Sequence, residues 1–104
     1  MTINEAVELI FERSLDVKMP IGLGHYPRKR SYFDQKSYMK CTYEQMIRYM
    51  QMHPDQDPLS SCEDFYDQLK DWYHYSLRSD ELIFIYTAAM DAAEDAIDLL
   101  RAAS

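Results

Sequence analysis

The sequence predicts an all-α fold, a small bundle of about four helices that forms one domain over residues 1–104. Only two glycines and four prolines are present, so an architecture rich in β-turns is disfavoured. Apolar residues recur every three or four positions in several separate segments, which is the spacing of amphipathic helices. Each such segment has one apolar face, and these faces are expected to pack against one another.

The first helix is predicted to begin after Thr2 and to end near Asp16 or Val17. Thr2 and Glu5 have the spacing of a capping box, in which each side chain accepts a hydrogen bond from the other residue's backbone N–H. The apolar face of this helix is expected to contain Ile3, Val7, Ile10 and Phe11.

Residues 18–31 are predicted to form an irregular basic loop, because two prolines and both glycines of the chain fall within them. The loop contains a run of three cations, Arg28, Lys29 and Arg30. These side chains could bind phosphate or an acidic surface of a partner, or the acidic face of another copy in head-to-tail association. The alternatives are a solvated loop or pairing with the acidic helices of the same chain. A short helix is predicted over residues 31–40.

The second principal helix is predicted to begin at Thr42, which forms a second capping-box pattern with Gln45. The segment ends at the His53–Pro54 pair. Its expected apolar stripe contains Tyr43, Met46, Ile47 and Met50.

The third helix is predicted to be capped by Ser61, with Asp64 three positions later. On a helical wheel its apolar side contains Phe65, Leu69, Trp72, Tyr73 and Ser76. The aromatic residues of this segment are expected to lie in the core or at helix boundaries, and a binding surface is the alternative.

The last helix is predicted to begin at Ser79, with Asp80 and Glu81 in the first turn, where the helix dipole favours negative charge. Alanines on its apolar face would allow another helix to approach closely. The short junction at residues 78–79 predicts that the last two helices form an antiparallel hairpin. The apolar face contains Leu82, Ile85, Ala89, Ala92, Ala93, Ala96, Leu99 and Leu100.

The two halves of the chain carry opposite charge. Residues 1–54 contain 8 Lys/Arg and 6 Asp/Glu, a balance of +2, whereas residues 55–104 contain 3 Lys/Arg and 12 Asp/Glu, a balance of −9. The sum is the net charge of −7. Such an asymmetry bears on the choice of partners and not on the fold.

The acidic residues of the C-terminal half lie along the faces of predicted helices. Carboxylates three or four positions apart, such as Asp67 and Asp71, destabilise an isolated helix by roughly a few tenths of a kcal/mol per pair. Such a face can present negative charge to a basic groove, as a phosphate backbone does; the alternative is a solvated face that aids solubility. The predicted partner-binding carboxylates are Glu63, Asp64, Asp67, Asp71, Asp91, Glu94, Asp95 and Asp98.

Phe84 is the remaining predicted partner-binding residue. It falls on the acidic side of the last helix, near the angle of Asp80 and Asp91. A phenylalanine in that position is either covered by another element or exposed to a partner.

Catalytic, metal and cofactor motifs are absent from the sequence. His25, His53 and His74 have no metal-ligand spacing, and Cys41 and Cys62 form no CxxC pair. The two cysteines are expected to be reduced thiols. The chain is therefore predicted not to be an enzyme and to bind neither a cofactor nor a metal.

The N-terminal segment lacks the basic start and the long apolar run of a secretory signal. No stretch approaches the roughly 20 apolar residues of a membrane span. The expected location is the cytoplasm, without membrane contact.

In its composition the chain resembles small acidic helical proteins that phages and mobile elements encode to block host nucleic-acid machinery, anti-CRISPR and anti-restriction proteins among them. The resemblance covers no motif. It implies an inhibitor that acts as a nucleic-acid mimic.

The expected function is that of a non-enzymatic binding protein that inhibits or regulates a protein partner with a basic, nucleic-acid-binding surface. Direct binding of nucleic acid is disfavoured by the net charge. Charge reversal at Asp91, Asp95 and Asp98 is expected to abolish binding and to leave the helices intact. The alternative is a helical homo-oligomer, such as a dimer, in which the alanine-rich last helix and spare aromatic residues are buried against another copy.

Overall fold

The computed structural model describes residues 1–17, 32–75 and 80–104, and of residues 32–34 the backbone alone. Within these ranges the chain is helical and contains no strand, so the predicted all-α bundle is confirmed. The predicted basic loop, with Arg28, Lys29 and Arg30, lies outside the described residues. The helices are α1 (Ile3–Asp16), α2 (Tyr32–Met52), α3 (Pro58–Tyr75) and α4 (Asp80–Ala103).

Helix α1 begins as predicted. The Glu5 N–H donates to Thr2 Oγ1 at 3.1 Å, and the Thr2 N–H donates to Glu5 Oε1 at 3.4 Å, which completes the capping box. Ile10 is fully buried. Phe11, however, is 51% exposed, contrary to its predicted place on the apolar face. It lies about 100° around the helix from Ile10, at the edge of the buried stripe.

Helix α2 is longer than predicted, because the expected boundary at Thr42 does not exist. The helix is continuous from Tyr32, and Thr42 lies buried in its interior. The Thr42 hydroxyl donates to the carbonyl oxygen of Tyr38, one turn earlier, at 2.9 Å. A threonine can make this bond inside a helix as readily as it can cap one, so the capping-box spacing was misleading.

Helix α3 starts three residues before the predicted cap at Ser61. The Asp57 carboxylate accepts a hydrogen bond from the Ser60 N–H at 3.3 Å, and Pro58 occupies the first helical position. Ser61 is buried, and its hydroxyl donates to Gln56 Oε1 at 3.2 Å. Proline at the first position needs no N–H partner, which explains why the helix can begin there.

Neighbouring helices along the chain run antiparallel. Glu63 and Tyr66 on α3 lie opposite Arg101 and Glu94 on α4, so the predicted hairpin is present. The start of α1 lines the same surface cleft as residues 54–58, which places it beside the end of α2. Helix α4 packs against the other three helices, whereas α1 and α3 hardly touch in the part of the chain that is described.

The core lies between α4 and the inner faces of α1 and α2. Its largest fully buried side chains include Tyr43, Met46 and Met50 of α2. The predicted alanine face of α4 is buried, which lets the neighbouring helices approach closely. Trp72, predicted on the apolar face of α3, is instead 59% exposed, because the buried positions of α3 lie in its earlier turns.

Candidate functional site

The acidic faces of α3 and α4 meet in one surface cleft. The cleft has a volume of about 340 Å³ and opens to solvent along the two helices. Each helix contributes a pair of carboxylates four positions apart. The lining side chains are Glu63, Tyr66 and Asp67 of α3 and Glu94, Ile97, Asp98 and Arg101 of α4.

Two polar contacts join the walls of this cleft. The Tyr66 hydroxyl donates a hydrogen bond to the Glu94 carboxylate. Arg101 Nη2 donates to Glu63 Oε1 at 3.4 Å. Both members of the ion pair are largely exposed, so it adds little to the stability of the fold. Arg101 is the single cation among the described lining residues, against four carboxylates.

The other two carboxylates of the cleft, Asp67 and Asp98, take no part in these two contacts. Neither side chain has a hydrogen bond or an ion pair with any residue that the structure describes. Both are exposed. As far as the described residues go, Asp67 and Asp98 can therefore accept a further cation, whereas Glu63 and Glu94 already have partners within the bundle.

Two groups near the cleft, Tyr66 and Asp91, have raised pKa values. The hydrogen bond to Glu94 is the main reason why the pKa of Tyr66 rises to about 12, and burial and the charges of Glu94, Asp67 and Asp91 add to it. Burial, followed by the charge of Glu94, raises the pKa of Asp91 above its ordinary value. Asp91 therefore belongs to the same negative field although it does not line the cleft.

Asp95 does not belong to the acidic cleft, although the sequence grouped it with its neighbours. Its carboxylate accepts a 2.7 Å hydrogen bond from the hydroxyl of buried Tyr43. The same oxygen lies 3.4 Å from Nε of Arg13 on α1. Asp95 therefore joins three helices, and a charge reversal there would test the fold and not only a binding surface.

The other predicted site residues are scattered. Asp64 accepts a hydrogen bond of 2.5 Å from Gln56 Nε2, and Asp71 is exposed on α3 beyond the cleft. Phe84 is half-buried, with its ring 6.2 Å from that of Tyr38 in an edge-to-face contact, so another helix covers it in part. The structure thus places four of the predicted carboxylates in one cleft and distributes the rest around it.

Sequence reasoning missed the polar partners that tie the helices together. The sequence predicts Tyr43 on the apolar stripe of α2, yet its hydroxyl bonds Asp95, 52 positions later. It predicts the aromatic residues of α3, Tyr66 among them, in the core or at helix boundaries, yet the Tyr66 hydroxyl bonds Glu94, 28 positions later. The only signal in the sequence was the abundance of tyrosine, whose polar tip usually finds a partner when its ring is buried.

The described residues form neither a metal site nor a membrane span. Among residues 1–17, 32–75 and 80–104, no group of three or more His, Cys, Asp or Glu side chains is placed to hold a metal ion. In those ranges, no helix has both the length and the apolar character needed to cross a membrane. Both cysteines are free thiols, Cys41 exposed and Cys62 buried.

No family model, curated protein or solved structure matches the chain.

Proposed function

We propose that the chain is a non-enzymatic binding protein whose acidic cleft engages a basic, nucleic-acid-binding surface of a protein partner and thereby inhibits or regulates it. The observation that carries the proposal is the convergence of Glu63, Asp67, Glu94 and Asp98 on one cleft, where Arg101 is the single cation among the described lining residues. Such a partner would otherwise bind phosphates, so occupation of its basic surface would exclude nucleic acid.

The spacing of the carboxylates supports recognition of an extended basic surface. Glu63 and Asp67 lie about 6 Å apart along α3, and Glu94 and Asp98 have the same separation along α4, because an α-helix rises 1.5 Å per residue. Packed helices have axes about 8–10 Å apart. Two rows of negative charge at these distances resemble the charge density of a nucleic acid more closely than one helix face could.

The sequence also supports this choice of partner. The acidic half of the chain has a balance of −9, and such a field speeds association with a basic surface and repels nucleic acid. The resemblance in composition to anti-CRISPR and anti-restriction inhibitors of phages and mobile elements points in the same direction.

The test is a pull-down from host lysate with four proteins: the parent, a cleft variant, a charge-matched control and Arg101→Gln. The cleft variant carries Glu63→Gln, Asp67→Asn, Glu94→Gln and Asp98→Asn. The control neutralises four exposed carboxylates away from the cleft, Glu8, Glu12, Asp16 and Glu44. Both quadruple variants have a net charge of −7 + 4 = −3, so they differ only in where the charge is lost.

We expect the parent and the control to retain a nucleic-acid-binding protein at low salt and to lose it at high salt, because exposed charges are screened. The cleft variant should lose it at both salt concentrations, and Arg101→Gln should retain it to higher salt. Far-UV circular dichroism checks that all variants are folded. Equal retention by the cleft variant and the control, or a captured protein that binds no nucleic acid, would contradict the proposal.

Self-association is the second candidate, and one observation favours it. Phe11 and Leu15, one turn apart on α1, are 51% and 58% exposed. The alanine face of α4 is expected to pack against another copy in this alternative. In the structure it is buried within the bundle, so it cannot form that interface. A homo-oligomer would therefore use α1, and its mass in light scattering would rise with concentration and resist salt. The variant Phe11→Ser/Leu15→Ser would then be monomeric.

A further inference from the structure

A second cavity lies between α2, α3 and α4, away from the acidic cleft. It has a volume of about 230 Å³. Leu69 of α3 and Ile85 and Ala89 of α4 form aliphatic walls, and Tyr38 and Tyr86 contribute aromatic rings. Leu69 and Ala89 are buried, so this part of the wall belongs to the core.

The lining of this cavity contains no charged side chain among the described residues. That absence is informative, because 28% of the chain is charged and the cleft between α3 and α4 is lined by four carboxylates. The polar groups present are neutral: two tyrosines, Thr42, Gln45 and the thiol of Cys41. A charged ligand would lose hydration here without gaining a counter-ion from any of these described side chains, which is unfavourable.

The size of the cavity limits the ligand further. An apolar cavity of about 150 Å³ in another protein accommodates benzene. Drug-sized ligands usually occupy pockets of about 300–1,000 Å³. A cavity between these sizes accommodates one ring system with a small substituent. Neither tyrosine hydroxyl has a hydrogen-bond partner within the described ranges, so no described residue competes with a neutral polar group of the ligand for them.

We propose that this cavity binds a small neutral aromatic molecule that carries one hydrogen-bonding group. The aliphatic walls and tyrosine rings would contact its faces, and a tyrosine hydroxyl or the Gln45 side chain would bond its polar atom. The site is separate from the acidic cleft, so the proposal does not depend on the function proposed above.

Cys41 provides a built-in probe of occupancy. It is exposed and lines the cavity, and the Gln45 amide donates a long hydrogen bond of 3.8 Å to its sulfur. Cys62, the only other cysteine, is 1% exposed, and burial is the main cause that raises the pKa of its thiol to about 12. Only thiolates react with alkylating reagents, so the folded protein should be alkylated at Cys41 alone.

The experiment measures the rate at which iodoacetamide alkylates Cys41, by intact mass, with and without indole. Indole is a neutral ring system with one N–H donor, and indole-3-carboxylate is the matched probe with a negative charge. At an indole concentration ten times its Kd, about one protein molecule in eleven is free, so the rate should fall about tenfold. The carboxylate should bind at least tenfold more weakly.

Two variants separate this cavity from binding elsewhere. Ala89→Leu fills the cavity and should abolish the protection of Cys41, whereas Ala102→Leu, at an exposed position on the same helix, should preserve it. Because Ala89 is nearly buried, Gln45→Trp at the exposed rim is a second blocking variant. If indole fails to protect Cys41 in the parent, or protects it equally in the blocked variants, the proposal is overturned.

Discussion

The hydroxyl of Tyr43 on α2 donates a 2.7 Å hydrogen bond to the carboxylate of Asp95 on α4. Tyr43 is 1% exposed, and burial together with this bond raises the pKa of its hydroxyl. Arg13 on α1 lies 3.4 Å from the same oxygen of Asp95. One carboxylate therefore connects three helices at the margin of the core, and this connection can be tested separately from any binding function.

Replacement of Tyr43 by phenylalanine should lower the free energy of unfolding by about 1.5 kcal/mol. The variant keeps the ring and removes a hydrogen bond to a charged acceptor, a bond that contributes roughly 1.5–3 kcal/mol. Urea denaturation followed by circular dichroism measures the change. Tyr75→Phe, at an exposed position, is the control and should change stability by less than about 0.5 kcal/mol. A loss below that limit for Tyr43→Phe would show that the bond is unimportant in solution.

Charge reversal should reduce the stability of the fold at Asp95 but not at Asp98, although the two residues are close together on α4. Asp95→Lys removes the acceptor of Tyr43 and places a cation beside Arg13, so we expect a loss of at least about 2 kcal/mol. Asp98→Lys, at an exposed position in the cleft, should change stability by less than about 0.5 kcal/mol. The same denaturation assay applies. Equal losses in the two variants would contradict the assignment of Asp95 to the fold.

The hydrogen bond between Tyr66 and Glu94 predicts a pH dependence at alkaline pH. The folded pKa of Tyr66, at about 12, lies above the ordinary value of 10.0. The stabilising contribution of this group is therefore fully present below pH 10 and is lost as the pH rises toward 12. The measurement is a pH titration of the tyrosinate absorbance, near 295 nm, in the parent and in Tyr66→Phe. The difference between the two titration curves should show a transition near pH 12.

Glu94→Gln should lower the pKa of Tyr66 toward 10, because the bond to the Glu94 carboxylate is the largest cause of the shift. Glu81→Gln, in the first turn of α4, is the matched control and should leave the transition unchanged. A difference spectrum with its midpoint near pH 10 in the parent would rule out the bond.

Because α3 begins at Pro58, Asp57 should stabilise the fold as the cap of this helix. Asp57→Ala removes the carboxylate that accepts the Ser60 N–H, and loss of such a cap costs about 1 kcal/mol of stability. Asp55→Ala, in the turn before the helix, is the control and should have little effect. Thermal unfolding of the two variants checks the difference. Similar melting temperatures for both would indicate that Asp57 does not cap the helix.

The same capping-box spacing predicted one helix start correctly and two incorrectly. The capping box of Thr2 and Glu5 was predicted correctly, because Thr2 has the extended backbone of a helix cap and both hydrogen bonds of the box are present. The same spacing at Thr42 and Ser61 was misleading. There the preceding residues are themselves helical, and each hydroxyl bonds within or beside the longer helix.

Apolar spacing and charge are properties of single segments, so they predict the helical fold and the acidic character of α3 and α4 without any knowledge of the packing. They also predict that Glu63, Asp67, Glu94 and Asp98 lie on outward faces. Helix packing brings these four carboxylates into one cleft and places Asp95 against Tyr43 and Arg13, and neither result can be read from the sequence. The reason is that the rotation of each helix about its axis is set by packing against the other helices, and no single helix contains that information.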